Sequence, residues 1–330
     1  MLPTVVITNW VHEEALERLK RVAKIIANPE KQPWPAPVLE AHLRKADAVV
    51  TFMPDRISEE DLRKFPRLKL IACALKGYDN FDIAACTRHG ITVTIVEDLL
   101  TIPSAELAIG LMIGLGRHLL QGDTAVRDGK FYGWRPRFYG LGLHGSTVGL
   151  IGLGAIGHAI AKRLLAFGSY QIYYDSRKAR SDLEQKLRLR LVPLEELLSQ
   201  SDFVVLSLPL TLDTKHLINE SRLKLMKPST LLINPARGSL VDEKAVGAAL
   251  VERTLGGYAA DVFELEDWAR VDRPETVDSR ILADRDKTLL TPHLGSAVER
   301  FRRQIAEQAI ENVIEFLEGR RPPGAINAPE

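Results

Sequence analysis

The 330-residue chain has only two cysteines, Cys73 and Cys86. Both lie in apolar or helical contexts without metal-ligand spacing, so they read as buried thiols in a reducing compartment and no disulfide framework is expected. His12, His42, His89, His118, His144, His158 and His216 likewise show no ligand spacing, and no metal site is expected. Charge of one sign is also missing. Forty-four Lys+Arg against forty-three Asp+Glu leave a formal charge of +1, which gives no global field for nucleic acid or an acidic membrane. The most apolar long segment, Ala105 to Leu120, is interrupted by Glu106, Arg117 and His118 and is too short to span a bilayer. The start, Met1 to Thr8, reads as a strand and lacks the basic region, apolar stretch and cleavage site of a signal peptide. These absences point to a cytoplasmic protein with no membrane contact. There is no short-period repeat and no low-complexity stretch; only Arg321-Pro322-Pro323-Gly324 looks loose.

What is present is alternation. Val5 to Thr8, Ala48 to Phe52, Leu70 to Leu75 and Ile91 to Ile95 read as buried strands, with helical patterns over His12 to Val22 and Asn80 to Thr87. After Pro103 a long apolar helix reaches about Leu120, and the other domain or a second subunit must cover it. A second series starts at Ser146: strands Thr147 to Ile151, Gln171 to Tyr174, Phe203 to Leu206, Thr230 to Asn234, Gly257 to Asp261 and Thr288 to Leu290. Helices fall at Gly157 to Phe167, Leu194 to Leu198 and Glu243 to Glu252. The length suits two domains. The pattern predicts an α/β protein in which a doubly wound domain, about residues 100–299, is inserted into a smaller α/β domain of residues 1–99 to which 300–330 returns. The basic run Lys178, Arg180, Lys186, Arg188 and Arg190, mixed with Asp182, Glu184 and leucines, reads as a solvated helix or loop.

The chemistry begins at Gly152-Leu153-Gly154-Ala155-Ile156-Gly157. A Gly-x-Gly-x-x-Gly run alone is weak, but here an apolar strand precedes it, a helix follows, and Asp175 ends the next strand 18 residues on. Those positions supply the tight turn, the close pyrophosphate approach, the helix packing and the ribose hydrogen bond of a dinucleotide site. Asp175 favours NAD by accepting the 2′-hydroxyl. Ser176, Arg177, Lys178 and Arg180 follow at once, and a guanidinium there leaves room for some NADP use. Downstream, His293 is the natural proton carrier, Glu266 can orient it and stabilise its imidazolium, and Arg237 offers a planar pair of donors to an oxyanion. Each stands near the end of a predicted strand, where open α/β sheets place ligands.

At the Gly152/Gly154/Gly157 loop, Asn234-Pro235-Ala236-Arg237-Gly238, Asp261-Val262-Phe263 and Thr291-Pro292-His293, the chain resembles the D-2-hydroxyacid dehydrogenase superfamily over nearly its whole length. The resemblance implies Arg237, Glu266 and His293 as the catalytic set, and Asp261 near the nicotinamide carboxamide. It also places Ser104, Leu208, Pro209, Pro235 and Ala236 with the glycine loop around the cofactor, and implies a homodimer built on the cofactor domains. Phe52-Met53-Pro54-Asp55-Arg56, Ala74-Leu75-Lys76-Gly77-Tyr78-Asp79-Asn80-Phe81-Asp82, Gly133 to Gly140 and Glu264 to Arg270 resemble the phosphite (phosphonate) dehydrogenases. In that family Lys76 and Gly77 with Arg302 would bind substrate, and Met53, Trp134, Tyr139 and Trp268 would wall it from water. Phosphite, a compact dianion with a hydridic P–H bond, calls for several cations and no apolar side-chain pocket. Phosphite and phosphate are then the expected ligands and sulfite an expected inhibitor. A D-2-hydroxyacid dehydrogenase is the alternative, and an NAD-sensing corepressor-like binding protein a third reading.

Overall fold

The structure, a computed structural model, describes residues 2–176 and 179–329. The chain divides into two compact units, one of Met1–Leu100, Trp268–Val271 and Ser296–Glu330 and one of Thr101–Asp267 and Asp272–Gly295.

In the first unit β1 (Thr4–Ile7), β2 (Lys24–Ala27), β3 (Ala48–Thr51), β4 (Leu70–Cys73) and β5 (Thr92–Thr94) form a parallel sheet in the order β2-β1-β3-β4-β5. That is the flavodoxin-like order. The strands are short apolar runs because both faces are covered. Val5 and Ile7 pack with Ala48, Val50, Leu70 and Ala72 against Ile305, Ala306, Ala309, Ile310, Val313 and Ile314. Val6, Val49, Ile71, Cys73 and Val93 point the other way, onto Leu43, Leu62, Phe65 and Phe81.

In the second unit β6 (Thr147–Ile151), β7 (Tyr170–Tyr174), β8 (Leu189–Leu191), β9 (Phe203–Leu206), β10 (Leu231–Asn234), β11 (Gly257–Ala260) and β12 (Thr288–Leu290) run parallel in the order β12-β11-β10-β9-β6-β7-β8. This is the doubly wound Rossmann arrangement. Its strand order reverses between β6 and β9, so the crevice for a ligand opens at their carboxyl ends. Among the helices that matter below are α1 (Thr101–Gly116), α2 (Leu119–Arg127), α3 (Ala155–Phe167) and α4 (Glu299–Leu317), the last in the first unit.

Several elements differ from the sequence pattern. The helix expected over His12 to Val22 is a single turn, Glu13–Leu16, followed by a 3-10 turn, Leu19–Arg21, and no side chain caps either start. The long helix stops at Gly116, whose carbonyl takes the N–H of Leu141 at 2.7 Å, and His118 turns left-handed with φ 52° before α2 begins. Within its own unit α1 buries Ala105, Ala108, Leu111, Met112 and Leu115 in the core, while Ile102, Glu106 and Gly110 stay exposed. In the basic run, read as helix or loop, Ser181–Leu187 is helical but Arg190 lies in edge strand β8, while Lys178 falls outside the described residues. The return to the first unit comes at Ser296, a few residues before position 300, because the Ser296 hydroxyl is tied to Arg302 of α4 at 3.3 Å. No helix among the described residues is long and apolar enough to cross a membrane.

Candidate active site

The glycine loop joins β6 to α3. Gly152 has φ 96°, and a Cβ there would stand 2.6 Å from the Ser207 carbonyl oxygen. A Cβ on Gly157 would stand 2.4 Å from the Gly152 carbonyl oxygen, so helix and turn touch backbone to backbone. Gly154 is different: nothing lies within 4 Å of its Cβ position, and no side chain caps α3. The first N–H groups of α3, on Ala155, Ile156 and Gly157, therefore sit at a helix end with partial positive charge, beside open space over Gly154. That is a pyrophosphate cradle, and a dinucleotide fits it. The Ser207 hydroxyl donates to the Gly152 carbonyl at 2.7 Å and pins the turn from β9. Leu153 is held twice, its N–H by Asp175 Oδ2 at 2.9 Å and its carbonyl by Arg180 Nη1 at 2.9 Å. Asp175 is thus a loop support at the end of β7, where a ribose carboxylate is needed. Ser176 beside it is exposed, and Arg177 lies outside the described residues. Leu208 and Pro209 follow β9 at the strand-order reversal; Leu208 packs on the core and the Pro209 carbonyl takes the Thr214 hydroxyl at 2.8 Å.

The two residues expected to handle the proton are brought together in the second unit. His293 Nδ1 lies 2.6 Å from Glu266 Oε2, and Glu266 Oε1 accepts the Phe263 N–H at 2.7 Å. A carboxylate only accepts, so Nδ1 carries the hydrogen and Nε2 keeps its lone pair when the ring is neutral. The His293 backbone is left-handed, φ 56°, an uncommon state for a non-glycine residue. Asp261 holds it there. Its Oδ1 accepts the Thr291 hydroxyl and the Leu294 N–H, both at 2.6 Å, and its Oδ2 accepts the Gly295 N–H at 2.8 Å. Burial pushes the Asp261 carboxyl above its ordinary range, against the pull of Thr291 and the backbone donors. Expected beside the cofactor, Asp261 is 1% exposed and serves first as the staple of the 291–295 loop. Ser104, in the first turn of α1, lies at the same loop: a Cβ on Gly295 would be 3.3 Å from both Ser104 Oγ and Asp261 Oδ2.

Arg237 sits on a turn that Asn234 shapes by donating to the Arg237 carbonyl at 2.9 Å and accepting the Ala236 N–H at 3.2 Å, with Pro235 between. The half-buried Arg237 guanidinium also donates to its own turn, from Nη1 to the Ala236 carbonyl at 2.9 Å. Gly238 presses directly on the segment carrying Glu266, since its Cβ position is 1.9 Å from the Phe263 carbonyl carbon. A layer that the sequence did not reveal locks the two segments from behind. Ser239 donates through its N–H (2.7 Å) and its hydroxyl to Asp267 Oδ2. Glu243 and Glu264 exchange backbone N–H to carboxylate bonds at 3.1 and 2.7 Å, and His216 Nε2 lies 2.9 Å from Glu264 Oε2. Burial pushes the Glu243 carboxyl up to about 7. Only proximity in the fold discloses this layer, because no spacing in the sequence relates its members.

In the first unit, Lys76 and Gly77 lie in the loop after β4. Lys76 Nζ is 3.9 Å from Asp98 Oδ1, with the Asp98 side chain 85% exposed, so the pair is loose and screened. Arg302 projects from α4 over the Phe52 ring at 5.8 Å and donates to the Ser296 hydroxyl. No carboxylate pairs with it among the described residues, and burial lowers its hold on its proton. Met53 follows β3, its carbonyl taking Asn80 Nδ2 at 2.9 Å. The expected four-residue wall is not assembled within one unit: Met53 and Trp268 belong to the first, whereas Trp134 and Tyr139 belong to the second and are 76% exposed. Among the described residues no group of three or more His, Cys, Asp or Glu could hold a metal ion.

Comparison with known proteins bears on the whole arrangement. The family described as D-isomer specific 2-hydroxyacid dehydrogenase, NAD binding domain, matches residues 109–295. The glyoxylate reductase of Pyrococcus horikoshii is 40% identical over 332 residues, 99% of this chain and 96% of its own length. The crystal structure of the TT0316 protein from Thermus thermophilus matches with a TM-score of 0.88 at 35% identity, over 98% of this chain and 100% of that one. That of D-lactate dehydrogenase from Aquifex aeolicus, complexed with NAD and lactic acid, matches with a TM-score of 0.85 at 30% identity, over 99% and 100%. The glyoxylate reductase and the D-lactate dehydrogenase carry the names of 2-hydroxyacid enzymes, and none of these relatives is named a phosphite dehydrogenase, so relatedness favours the hydroxyacid alternative over the phosphite resemblance. The second unit is an NAD-binding domain, and the chain is an NAD-dependent oxidoreductase in kind. With the glycine cradle, the His293–Glu266 pair and the Arg237 turn in one Rossmann unit, the chain belongs to the D-isomer specific 2-hydroxyacid dehydrogenase family.

Proposed function

We propose that this family member oxidises phosphite to phosphate with NAD. The observation that carries the reading is Arg302, a largely buried guanidinium with no carboxylate partner among the described residues, in the same unit as the loosely paired Lys76. One cation without a carboxylate partner and one only loosely paired, at 3.9 Å from Asp98, suit a compact dianion better than a substrate with a carbon side chain. Water adds its oxygen to phosphorus, the P–H hydrogen leaves with its electron pair, and one proton is released. Hydride acceptance at the nicotinamide is the chemistry NAD supplies when bound. His293 takes the proton of water at Nε2, Glu266 steadies the ring through Nδ1, and Arg237 offers donors to an oxyanion in the second unit; in the first unit Lys76 and Arg302 are the cations available to one.

The names of the relatives favour a second reading, interconversion of glyoxylate or another 2-oxoacid with its 2-hydroxyacid. One assay separates them: NADH formation from phosphite, beside D-lactate and D-glycerate, and NADH consumption with glyoxylate. Turnover of phosphite alone supports the first reading; turnover of the organic acids alone replaces it with the second and leaves His293 and Glu266 in the same roles. Under the first reading Lys76→Ala raises KM for phosphite by about 10- to 100-fold, since a charged hydrogen bond is lost. Sulfite, similar in shape but without a transferable hydride, competes with phosphite. An unchanged KM removes Lys76 from the site.

Two further properties belong to this reading. The cofactor is NAD with some NADP use, because the Asp175 carboxylate opposes a 2′-phosphate while Arg180 is held on the same residue, Leu153, that Asp175 holds. Asp175→Ala then moves the NAD/NADP ratio of kcat/KM by about tenfold or more toward NADP. A ratio that does not move would take Asp175 out of ribose recognition. The chain also works as a homodimer. Phe131, Tyr132, Trp134 and Tyr139 are 62, 79, 76 and 76% exposed, Leu119, Leu120 and Val126 of α2 are exposed as well, and a second copy is the occupant that covers this 119–139 arm. Light scattering of the intact protein should give twice 36.8 kDa, and a monomer mass at assay concentration overturns the dimer.

A further inference from the structure

Asp55 is a buried carboxylate that the chemistry above does not use, and it lies at the carboxyl end of β3. It is 7% exposed. One oxygen, Oδ2, accepts both the Thr8 hydroxyl and the Phe52 N–H, the latter at 2.7 Å. The Asp55 N–H donates back to the Phe52 carbonyl at 2.9 Å, closing residues 52–55 into a turn fastened to the end of β1. Two groups that this turn presents go to the oxyanion residues. The Phe52 ring carries Arg302, and the Met53 carbonyl receives Asn80, four residues after Lys76 in the same loop.

We propose that Asp55 is a positioning residue for the substrate oxyanion: through the Phe52–Asp55 turn it sets where Arg302 and the Lys76 loop stand. The carboxylate sits in a costly place for a purely structural group, since burial pushes it up to about 6 although Thr8 and Phe52 donate to it. What the turn requires is an acceptor oxygen between two donors. Asparagine supplies that oxygen and alanine does not.

The inference rests on placing the oxyanion at this edge of the first unit. Turnover of phosphite or of glyoxylate by the unaltered protein is therefore measured first, and the better substrate is used throughout. Asp55→Ala is expected to raise KM for that oxyanion about tenfold or more, because two hydrogen bonds are lost. KM for NAD should stay unchanged and kcat should fall much less. Asp55→Asn should restore KM to within about threefold. Thr8→Val, which removes one donor and leaves the carboxylate, should fall between and carries the test if Asp55→Ala does not fold. A role confined to stability would lower the melting temperature and the active fraction without moving KM. The proposal is overturned by an oxyanion KM unchanged in Asp55→Ala or in Thr8→Val, by equal rises in both KM values, or by Asp55→Asn behaving like Asp55→Ala. None of these outcomes depends on which oxyanion is turned over. Failure of the phosphite reading shows in the first assay and failure of the positioning role in the second.

Discussion

His293→Asn should lower kcat by about three to four orders of magnitude while leaving NAD affinity near that of the unaltered protein. The geometry gives the reason. The ring touches the described residues through Nδ1, on Glu266 at 2.6 Å, and its other nitrogen is the basic atom left for substrate or water. Asparagine keeps a side-chain amide near Glu266 but has no lone pair where Nε2 stood, so proton transfer is lost and the surrounding structure is not. Steady-state kinetics and calorimetric titration with NAD check both halves. Partial recovery of rate with added imidazole would identify the missing function as proton transfer. A kcat within about tenfold of the original would show that another group takes the proton. Glu266→Gln should be milder, since a Gln oxygen can still receive Nδ1–H but no longer stabilises the imidazolium by charge.

Gly238→Ala should be as damaging from outside the reacting atoms. Its Cβ would stand 1.9 Å from the Phe263 carbonyl carbon and 2.2 Å from the Glu264 nitrogen. Both are backbone atoms, so no side chain can rotate away, and the Arg237 turn must separate from the Glu264–Glu266 segment. A displacement of about 1 Å in a catalytic arrangement costs about a hundredfold in rate. The expected result is a folded protein with kcat reduced at least about a hundredfold, or one destabilised by several kcal/mol where the separation is resisted. Melting temperature and kcat together distinguish the two. Gly154→Ala is the control: its Cβ meets nothing within 4 Å, so stability should hold and only NAD binding should weaken, because the new methyl occupies the cradle. A Gly238→Ala protein with unchanged kcat and melting temperature would mean the two segments are not held by this contact.

How much of this was visible in the sequence depended on whether a feature is local. The glycine loop was legible because strand, turn and helix are consecutive, and the residues needed for close backbone approach are themselves glycines. Arg237, Glu266 and His293 stood out through short signatures at strand ends, and the contact between Glu266 and His293 was expected from their chemistry and not from any spacing. Strand β8 was hidden because Leu189-Arg190-Leu191 is three residues of an edge strand inside a basic run, and edge strands carry charge. Strand β2 was hidden because Lys24 to Ala27 follows apolar residues that fit a longer helix. The break at His118 depends on Leu141 reaching back to Gly116, a contact 25 residues away in sequence. The Glu243–Glu264–His216 layer and the two donors on Asp55 are contacts of the same kind. Exposure was equally illegible: nothing in the sequence shows that Trp134 and Tyr139 are 76% exposed in the folded chain.

The left-handed backbone of His293 bears on when order is acquired. A loop residue in that conformation would ordinarily sample others, yet Asp261 ties the hydroxyl of Thr291 and the amides of Leu294 and Gly295 to one carboxylate, on either side of the histidine. The entropy lost in gathering imidazole and carboxylate is therefore lost in the folding of the Rossmann unit, once per molecule rather than once per turnover. In the proposed reaction, a substrate arriving at this pair meets a base whose orientation was settled before it came, and none of its binding energy goes to recruiting one.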